Sequence, residues 1–425
     1  MPTPSPTSSA HDTHRAIDAV WRIESARLIA GLARMVGDVG TAEDLAQDAL
    51  VAALERWPET GVPSNPGAWL MATAKRRGLD QLRRGKMLDR KHQMLAHELD
   101  ARAEEGEAAL DAALDDHVGD DLLSLIFTCC HPVLATEARI ALTLRLLGGL
   151  KTEEIARAFL VPTPTVAQRI TRAKRTLAEA GVPFEVPRGD DFDARLESVL
   201  AVIYLVFNEG YSATAGDDWV RPALCEDALR LGRILAGLMP REPEVHGLAA
   251  LMEIQASRLR ARVGPRGEPI LLLDQDRARW DQLLVRRGLA ALERAQSLGP
   301  MGPYTLQAAI AACHARARKA ADTDWGRIAA LYDALARMAP SPVVELNRAV
   351  ALSMAFGPEA GLAVADRLRD EPSLREYHLL PSVRGDLLAK LGRADEARAE
   401  FERAATLTRN ERERELLLER ARRAV

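Results

Sequence analysis

Hydrophobic residues recur at intervals of three and four along most of the chain, which is the spacing of helices with one buried face. The first such stretch runs from about residue 13 to residue 35. Its apolar side carries Ile17, Val20, Trp21, Leu28, Leu32 and Met35. Alanine, leucine, arginine and glutamate dominate the chain, aromatic residues make up only 4% of it, and runs of β-branched residues are scarce. Since these residue types favour helices, the pattern predicts an all-α fold.

Two short helices around a turn are predicted between Leu150 and Arg175. Thr152 is a candidate cap for the first helix, and Pro162 and Pro164 interrupt the chain. The second helix places Val166, Ile170, Ala173 and Leu177 on one face. Its other face carries Thr165, Gln168, Arg169, Arg172, Lys174 and Arg175. Such side chains contact base edges and phosphates, so the stretch is typical of a DNA-binding helix-turn-helix. The alternative is a solvated charged helix.

Two further helices of opposite charge are predicted upstream. The first, over residues 41–57, is acidic and has a narrow apolar stripe of Leu45, Ala49, Ala52 and Ala53, with a candidate capping box at Thr41 and Asp44. The second, over residues 66–86, has Trp69, Leu70 and Leu79 for a core. Its basic residues are Lys75, Arg76, Arg77, Arg83, Arg84 and Lys86, against the single acid Asp80.

In this order, the acidic helix, the basic helix and the helix-turn-helix resemble the bacterial RNA polymerase sigma factors of the extracytoplasmic-function type. The resemblance implies core RNA polymerase as a partner, through its β′ coiled coil and its β flap. It implies that Asp44, Gln47 and Asp48 contact the polymerase. It also implies promoter DNA as a partner, with two sets of contacts. Lys75, Arg76, Arg77, Arg83 and Arg84 would lie on the element near the start site. Thr165, Gln168, Arg169, Arg172, Lys174 and Arg175 would contact the more distant element.

This chain departs from the family at Arg76, where the family often has asparagine. The loop from Pro58 to Pro66 corresponds to the family's loop that captures a flipped base of the element near the start site. The predicted domains are sigma region 2 over residues 13–86, a linker over 87–118, and the helix-turn-helix of sigma region 4 over 119–182.

Four further segments are Phe127–Pro132, Phe207–Ser212, Asp274–Asp281 and Pro303–Ala312. With them the whole chain resembles a subgroup of the family in which the two sigma domains are followed by a long helical C-terminal extension. A helical segment is predicted over residues 190–300, and tetratricopeptide-like repeats over 301–425. A period of 34 residues separates small residues in two series, Ala317, Ala351, Gly385 and Ala329, Ala363, Ala397. Small residues at this period let paired helices approach closely. A generic helical bundle with chance spacing is the alternative.

Two segments of the extension predict particular local structures. Asn208 to Ser212 is predicted to form a turn between helices, where Gly210 permits unusual backbone angles. The acids Asp274, Asp276 and Asp281 alternate with Arg277 and Arg279. That mixture predicts ion pairs rather than a metal site.

Charge and cysteine content narrow the function classes. The net charge is −4, which excludes a protein that coats DNA and requires local basic faces instead. No apolar run is long enough to span a bilayer and the N-terminus lacks the features of a signal peptide, so we expect a cytoplasmic protein with no membrane contact. Cys129, Cys130, Cys225 and Cys313 form no CxxC pair, and Cys129-Cys130-His131 favours a structural role over a metal site.

These observations predict a sigma factor with a regulatory or interacting C-terminal extension that binds another protein. We expect no enzyme activity, no metal and no cofactor, because the chain has no catalytic or nucleotide-binding motif. One alternative is a stand-alone helix-turn-helix transcription regulator with a protein-interaction repeat domain. It does not explain the acidic helix beside the basic one. Another is an enzyme housed in residues 190–300, for which the sequence offers no convergent polar residues.

Overall fold

A computed structural model describes the backbone of residues 6–90, 119–189 and 191–424, and the side chains of the same ranges except residues 6–12 and 79–90. The chain divides into two compact units, with the boundary in the sequence between Val202 and Ile203. In the described residues both units are helical, and the only strands are two pieces of two residues each. The predicted all-α fold is confirmed.

The first unit begins with three helices: α1 (Pro6–Val36), α2 (Val39–Thr60) and α3 (Pro66–Arg90). The buried faces of α1 and α2 carry most of the residues that the periodicity predicted, including Leu32 and Leu45, while Val20 and Met35 are half-buried. Trp57 is fully buried near the end of α2, and its ring meets that of Trp69 edge-on at 5.3 Å between centroids. This aromatic pair joins α2 to α3.

The ends of α2 differ from the prediction. The helix begins after Asp38, whose carboxylate accepts a hydrogen bond of 2.6 Å from the amide of Thr41. The predicted capping box of Thr41 and Asp44 is therefore wrong, because Asp38 is extended and reaches the first free amides of the helix. At the other end, α2 continues through Pro58 to Thr60 and is followed by Gly61, which has a φ of +83°. The predicted 58–66 loop is thus shorter, at residues 61–65.

The helix-turn-helix is built from α6 (Thr152–Phe159) and α7 (Thr163–Glu179), supported by a helix over residues 119–129, α4, and by α5 (Thr136–Leu146). The predicted stripe of α7 is buried. Thr152 is the first residue of α6 rather than its cap. The first turn is closed by Glu154, whose carboxylate accepts from the amide of Lys151 at 2.8 Å. Leu160 forms the turn at a φ of +50°, a left-handed conformation that costs a leucine roughly 1–2 kcal/mol.

The first half of α8 (Asp191–Tyr211) belongs to the first unit. Arg195 donates to the carbonyl of Phe127 at 3.1 Å, and the Ser198 hydroxyl donates to the carbonyl of Cys130 at 2.6 Å. Arg139 in turn donates to the Ser198 hydroxyl. These bonds satisfy carbonyls at the end of α4, so the residues after Pro187 help to support the helix-turn-helix.

The second unit is a succession of helices. They are the remainder of α8, α9 (Pro222–Leu238), α10 (Pro243–Ala256), α11 (Gln282–Leu298), α12 (Pro303–Arg316), α13 (Trp325–Met338), α14 (Pro342–Phe356), α15 (Pro358–Arg367), α16 (Leu379–Lys390), α17 (Ala394–Leu407) and α18 (Glu411–Arg423). Residues 257–281 between α10 and α11 form short 3₁₀ turns and loops. Strand β1 (Ala215–Gly216) pairs in parallel with β2 (Arg409–Asn410).

The period of 34 fits the helices from α13 to α17 in part. Gly385 in α16 meets the ring of Phe401 in α17 so closely that a Cβ would lie 2.9 Å from it, which explains the small residue. Ala329, Ala351 and Ala397 are buried in helices. By contrast, Ala317 follows the end of α12 and Ala363 faces solvent, so these two do not serve helix packing.

Two predictions about the extension are wrong. Asn208–Tyr211 form the last turn of α8 rather than a loop, and Gly210 is needed for close packing, since a Cβ there would lie 2.7 Å from the amide nitrogen of Cys225. The acids around residue 276 form no ion pairs with their neighbours among the residues that the structure describes. Asp276 and Asp281 instead cap helices, and Arg277 and Arg279 donate to backbone carbonyls.

Candidate polymerase and promoter surfaces of the first unit

The acidic face of α2 lies opposite its buried stripe. Asp44 and Asp48 are exposed and Gln47 is half-buried. Asp48 has a partner: its carboxylate lies 3.4 Å from Arg77 of α3, whose guanidinium also donates to the Asp48 carbonyl at 2.9 Å. Asp44 has no ion-pair partner within the described ranges, so it is the acid most available to a cation of another molecule.

The basic face of α3 is described only in its first half. Arg76 is exposed and Lys75 is half-buried, while Arg77 is held against α2 by Asp48. The side chains of Arg83 and Arg84 lie outside the described residues, as does the greater part of the predicted linker.

The predicted recognition face of α7 is mostly open to solvent. Gln168, Arg172 and Arg175 are exposed, and Thr165 and Arg169 are half-buried. Arg175 lies 3.5 Å from Glu179 one turn later, a pair on the helix surface that contributes little to stability. Gln168 and Arg172 therefore present donor groups to solvent at the spacing of one helical turn, as base contacts in a major groove require.

Lys174 has a different environment. Its amine contacts the carboxylate of Glu43, which lies on α2 and has a side chain only 5% exposed. Arg145 of α5 donates to the other oxygen of the same carboxylate at 2.7 Å. One buried acid of α2 thus holds two cations of the helix-turn-helix region. The sequence contains a signal for it, because Glu43 falls on the apolar side of α2 between the buried residues Ala42 and Leu45.

Other contacts surround this buried triad of Glu43, Lys174 and Arg145. Arg22 pairs with Glu154 at 2.9 Å, and Lys151 pairs with Asp18 at 3.4 Å, both on the surface. Gly149, with a φ of +68°, approaches α1 so closely that a Cβ would lie 3.0 Å from the Ser25 hydroxyl. A cleft of about 620 Å³ opens between the corner of α1 and α2 and the end of α7. The surface pairs add little, so the buried triad dominates the electrostatics of this contact.

The paired cysteines lie in the core of the same unit. Cys129 and Cys130 are buried and reduced. Burial raises the pKa of the Cys130 thiol to about 11, so this group is protonated and unreactive near neutral pH. Among the described residues no group of histidine, cysteine and acidic side chains could hold a metal ion, and no helix there is long and apolar enough to cross a membrane.

The triad generates a stability prediction. Replacing Glu43 with alanine should destabilise the contact between α2 and α7 by about 3–5 kcal/mol, because two partly buried cations lose their counterion. Replacing Asp18 with alanine breaks an exposed pair and should cost at most about 1 kcal/mol. The measurement is urea unfolding of both variants, with amide hydrogen exchange of α2 and α7. Equal losses in the two variants would show that the triad contributes no more than a surface pair.

Comparison with known families divides the chain into three matched segments. Residues 23–87 match the family described as sigma-70 region 2, and residues 124–177 match the family described as sigma-70, region 4. Residues 195–296 match a family of unknown function, DUF6596. The acidic face of α2 and most of α3 fall in the first segment, and the helix-turn-helix falls in the second.

Two relatives are informative. An uncharacterised protein of Rhizobium meliloti (strain 1021) is 46% identical over 380 residues, which cover 89% of each chain. A protein of Mycobacterium tuberculosis named a probable ECF RNA polymerase sigma factor, SigI, is 30% identical over 175 residues, which cover 41% of this chain and 58% of that protein. No solved structure matches the chain.

Proposed function

The chain belongs to the extracytoplasmic-function sigma factors of the sigma-70 family, with a helical C-terminal extension, and on that premise we propose which of its surfaces bind polymerase and promoter. A sigma factor directs RNA polymerase to promoters, so core enzyme and promoter DNA are its partners. The observation that carries the assignment of surfaces is the separation of charge in the first unit, with an exposed acid on α2 and exposed bases on α3 and α7. The chain itself performs no covalent chemistry and acts in the cytoplasm, where polymerase supplies the active site.

The core-polymerase surface is the polar face of α2. Asp44 is its central group, because it is exposed and lacks an internal partner among the described residues, whereas Asp48 is shared with Arg77. Gln47 adds an amide between the two acids. An exposed carboxylate on a helix contributes little to the stability of the fold. Asp44 can therefore be substituted to test its role in binding without unfolding the protein.

The first functional prediction concerns this surface. Asp44→Lys should weaken binding to core polymerase at least tenfold, because a docked carboxylate is replaced by a like charge facing the partner's cations. Glu197→Lys in α8 is the control, since it makes the same charge change at another exposed helical position. Affinity is measured by fluorescence titration of labelled protein with core enzyme. Equal affinities of both variants and the parent would exclude Asp44 from the interface.

The promoter surface consists of α3 and the exposed face of α7. Arg172 and Gln168 are the proposed base-contacting residues of α7, with Thr165, Arg169 and Arg175 beside them. Lys174 can neutralise a DNA phosphate only after its amine leaves Glu43, because one ammonium group cannot contact the buried carboxylate and a phosphate at the same time. We infer that the contact between α2 and α7 loosens when α7 engages the distant promoter element.

The second functional prediction separates base contact from general attraction. Arg172→Ala should lower promoter use by about 1–3 kcal/mol, the value of a bidentate contact with a base. The matched control is Arg188→Ala, which removes an exposed arginine from the loop that follows α7. The measurement is run-off transcription with core polymerase on a promoter and on variants of its distant element. If Arg172→Ala and Arg188→Ala transcribe alike on every template, α7 does not discriminate bases through Arg172.

The C-terminal extension is proposed to bind a protein and to regulate the sigma domains. Its charged residues are closely mixed, and acids pair with bases both within a helix, as in Arg398 with Asp395, and between helices, as in Arg348 with Asp333. Such a surface lacks the uncompensated positive stripe that DNA binding needs. The stacked helices instead offer an extended surface of mixed charge, which suits a protein partner.

The third functional prediction concerns removal of the extension. Residues 1–187 lack Arg195 and Ser198, so this fragment should melt at a lower temperature than residues 1–202, which keep both supports of α4. With the helix-turn-helix thus preserved, residues 1–202 should still transcribe less than the full chain from the same promoter. Output is compared at equal concentrations, after circular dichroism has verified folding. Full output from residues 1–202 would mean that the extension does not contribute to activity.

A further inference from the structure

The loops between α10 and α11 bring together three arginines. Arg258, Arg262 and Arg277 form no ion pair with a carboxylate in the described part of the chain. Aromatic rings connect them. The Arg258 guanidinium lies 5.6 Å from the ring of Tyr211 and 5.7 Å from that of Trp280. Arg262 stacks on the same tyrosine at 3.8 Å, and Arg277 lies 5.1 Å from the same tryptophan.

The three arginines differ in how their donors are used. Arg277 donates to the carbonyls of His314 and Ala317 and to the hydroxyl of Thr323, so it is fixed by the protein. Arg262 donates to the carbonyl of Tyr211 at 3.0 Å. Arg258 makes no hydrogen bond to any described residue, although the residue is only 8% exposed. Its Nε is fully enclosed without a partner, and its two terminal nitrogens are the atoms that remain within reach of solvent.

The unpaired polar atoms of this cluster are mostly donors. They are the Nε atoms of Arg258, Arg262 and Arg277, the indole N–H groups of Trp219 and Trp280, and the hydroxyl of Tyr211. Buried donors nearly always have acceptors, and a buried arginine without a counterion is costly. Burial together with Arg258 and Arg277 lowers the pKa of the nearby His314 to about 4, so this imidazole is neutral near pH 7 and adds no charge of its own. The cluster therefore has an excess of positive charge and of donors.

We propose that this cluster is a binding site for one oxyanion group, a carboxylate or a phosphoryl group of a small ligand, held by the free edge of Arg258. The guanidinium of Arg258 lies near the rings of Tyr211 and Trp280, which orient its plane. A planar guanidinium binds an oxyanion with two parallel hydrogen bonds. Arg262 and Arg277 supply positive potential from fixed positions. Since Arg258, Tyr211 and Trp280 are all less than 10% exposed, only a group of a few atoms can reach the site.

Binding of an oxyanion to this cluster does not depend on sigma activity. Only a regulatory effect of the bound oxyanion on the extension would rest on the proposed function. It is tested on the full chain without polymerase. Inorganic phosphate, acetate and chloride are titrated at matched ionic strength, and calorimetry and thermal unfolding are recorded. We expect saturable binding of phosphate, acetate or both, with none of chloride. At about 100 times its Kd, a bound anion shifts the folding equilibrium of its unit roughly 100-fold.

Variants locate the site. Arg258→Met removes the charge and keeps an apolar chain between the rings, and should abolish the anion response. Arg258→Lys keeps the charge without the fork and should weaken binding about tenfold. Arg260→Met is the control, since it removes an exposed arginine two residues away and should bind like the parent. If Arg258→Met does not fold, the titrations of the parent and of Arg258→Lys decide.

The results of these titrations distinguish a phosphoryl ligand from a carboxylate ligand, and they show whether the proposal fails. A response to phosphate alone assigns a phosphoryl group, and a response to acetate assigns a carboxylate. The proposal is overturned if neither anion binds the parent more tightly than chloride, or if Arg258→Met retains the response. A purely structural role of Arg258 predicts that Arg258→Met lowers stability equally with and without anion, whereas the proposed role predicts a loss that appears only when anion is present.

Discussion

A buried carboxylate stays ionised when cations or hydrogen-bond donors face it, and in this protein the Glu43 carboxylate and its cations come from different regions of the sequence. Glu43 belongs to α2, which carries the proposed polymerase surface, and Arg145 and Lys174 belong to the region of α7, the proposed promoter-reading helix. The buried apolar stripe of α7 packs in its own region, and one acid of α2 links that helix to α2. Because Lys174 also belongs to the proposed DNA surface, holding the unit together and binding DNA compete for the same ammonium group. A sigma factor built in this way has its two DNA-binding regions coupled before it meets polymerase.

The sequence predicted what periodicity encodes. The buried stripe of α7, the apolar sides of α1 and α2, and the all-α class follow from spacing alone, because a helix must turn one face to the core. It did not predict the partners of polar groups, because these depend on contacts between distant segments. The cap of α2 came from Asp38 rather than Thr41, and Gly210 served close packing rather than an unusual backbone angle. The assignments of individual residues to polymerase and promoter remain predictions.

In the extension, the hydrogen bonds made by the acids determine whether the neighbouring arginines can form ion pairs. Around residue 276 the sequence alternates acids and bases, and local pairing is the simplest expectation. The carboxylates of Asp276 and Asp281 are instead occupied by the free amides at helix starts. The neighbouring arginines donate hydrogen bonds to carbonyls or lie against aromatic rings. Neither partner neutralises the positive charge of the guanidinium. Charge balance in the sequence is therefore compatible with a strong local imbalance in the fold.

The pairing of β1 with β2 has a consequence for how the protein is made. Asn410, which is 1% exposed, donates to the carbonyl of Ala213, 197 residues earlier in the chain. The segment after α8 thus finds its partner only after Asn410 has left the ribosome. The three helices at the N-terminus and the helix-turn-helix are complete long before that point, and domains generally fold in the order of their synthesis. During translation, the DNA-binding regions of this sigma factor are accordingly complete before β1 and β2 of its extension can pair.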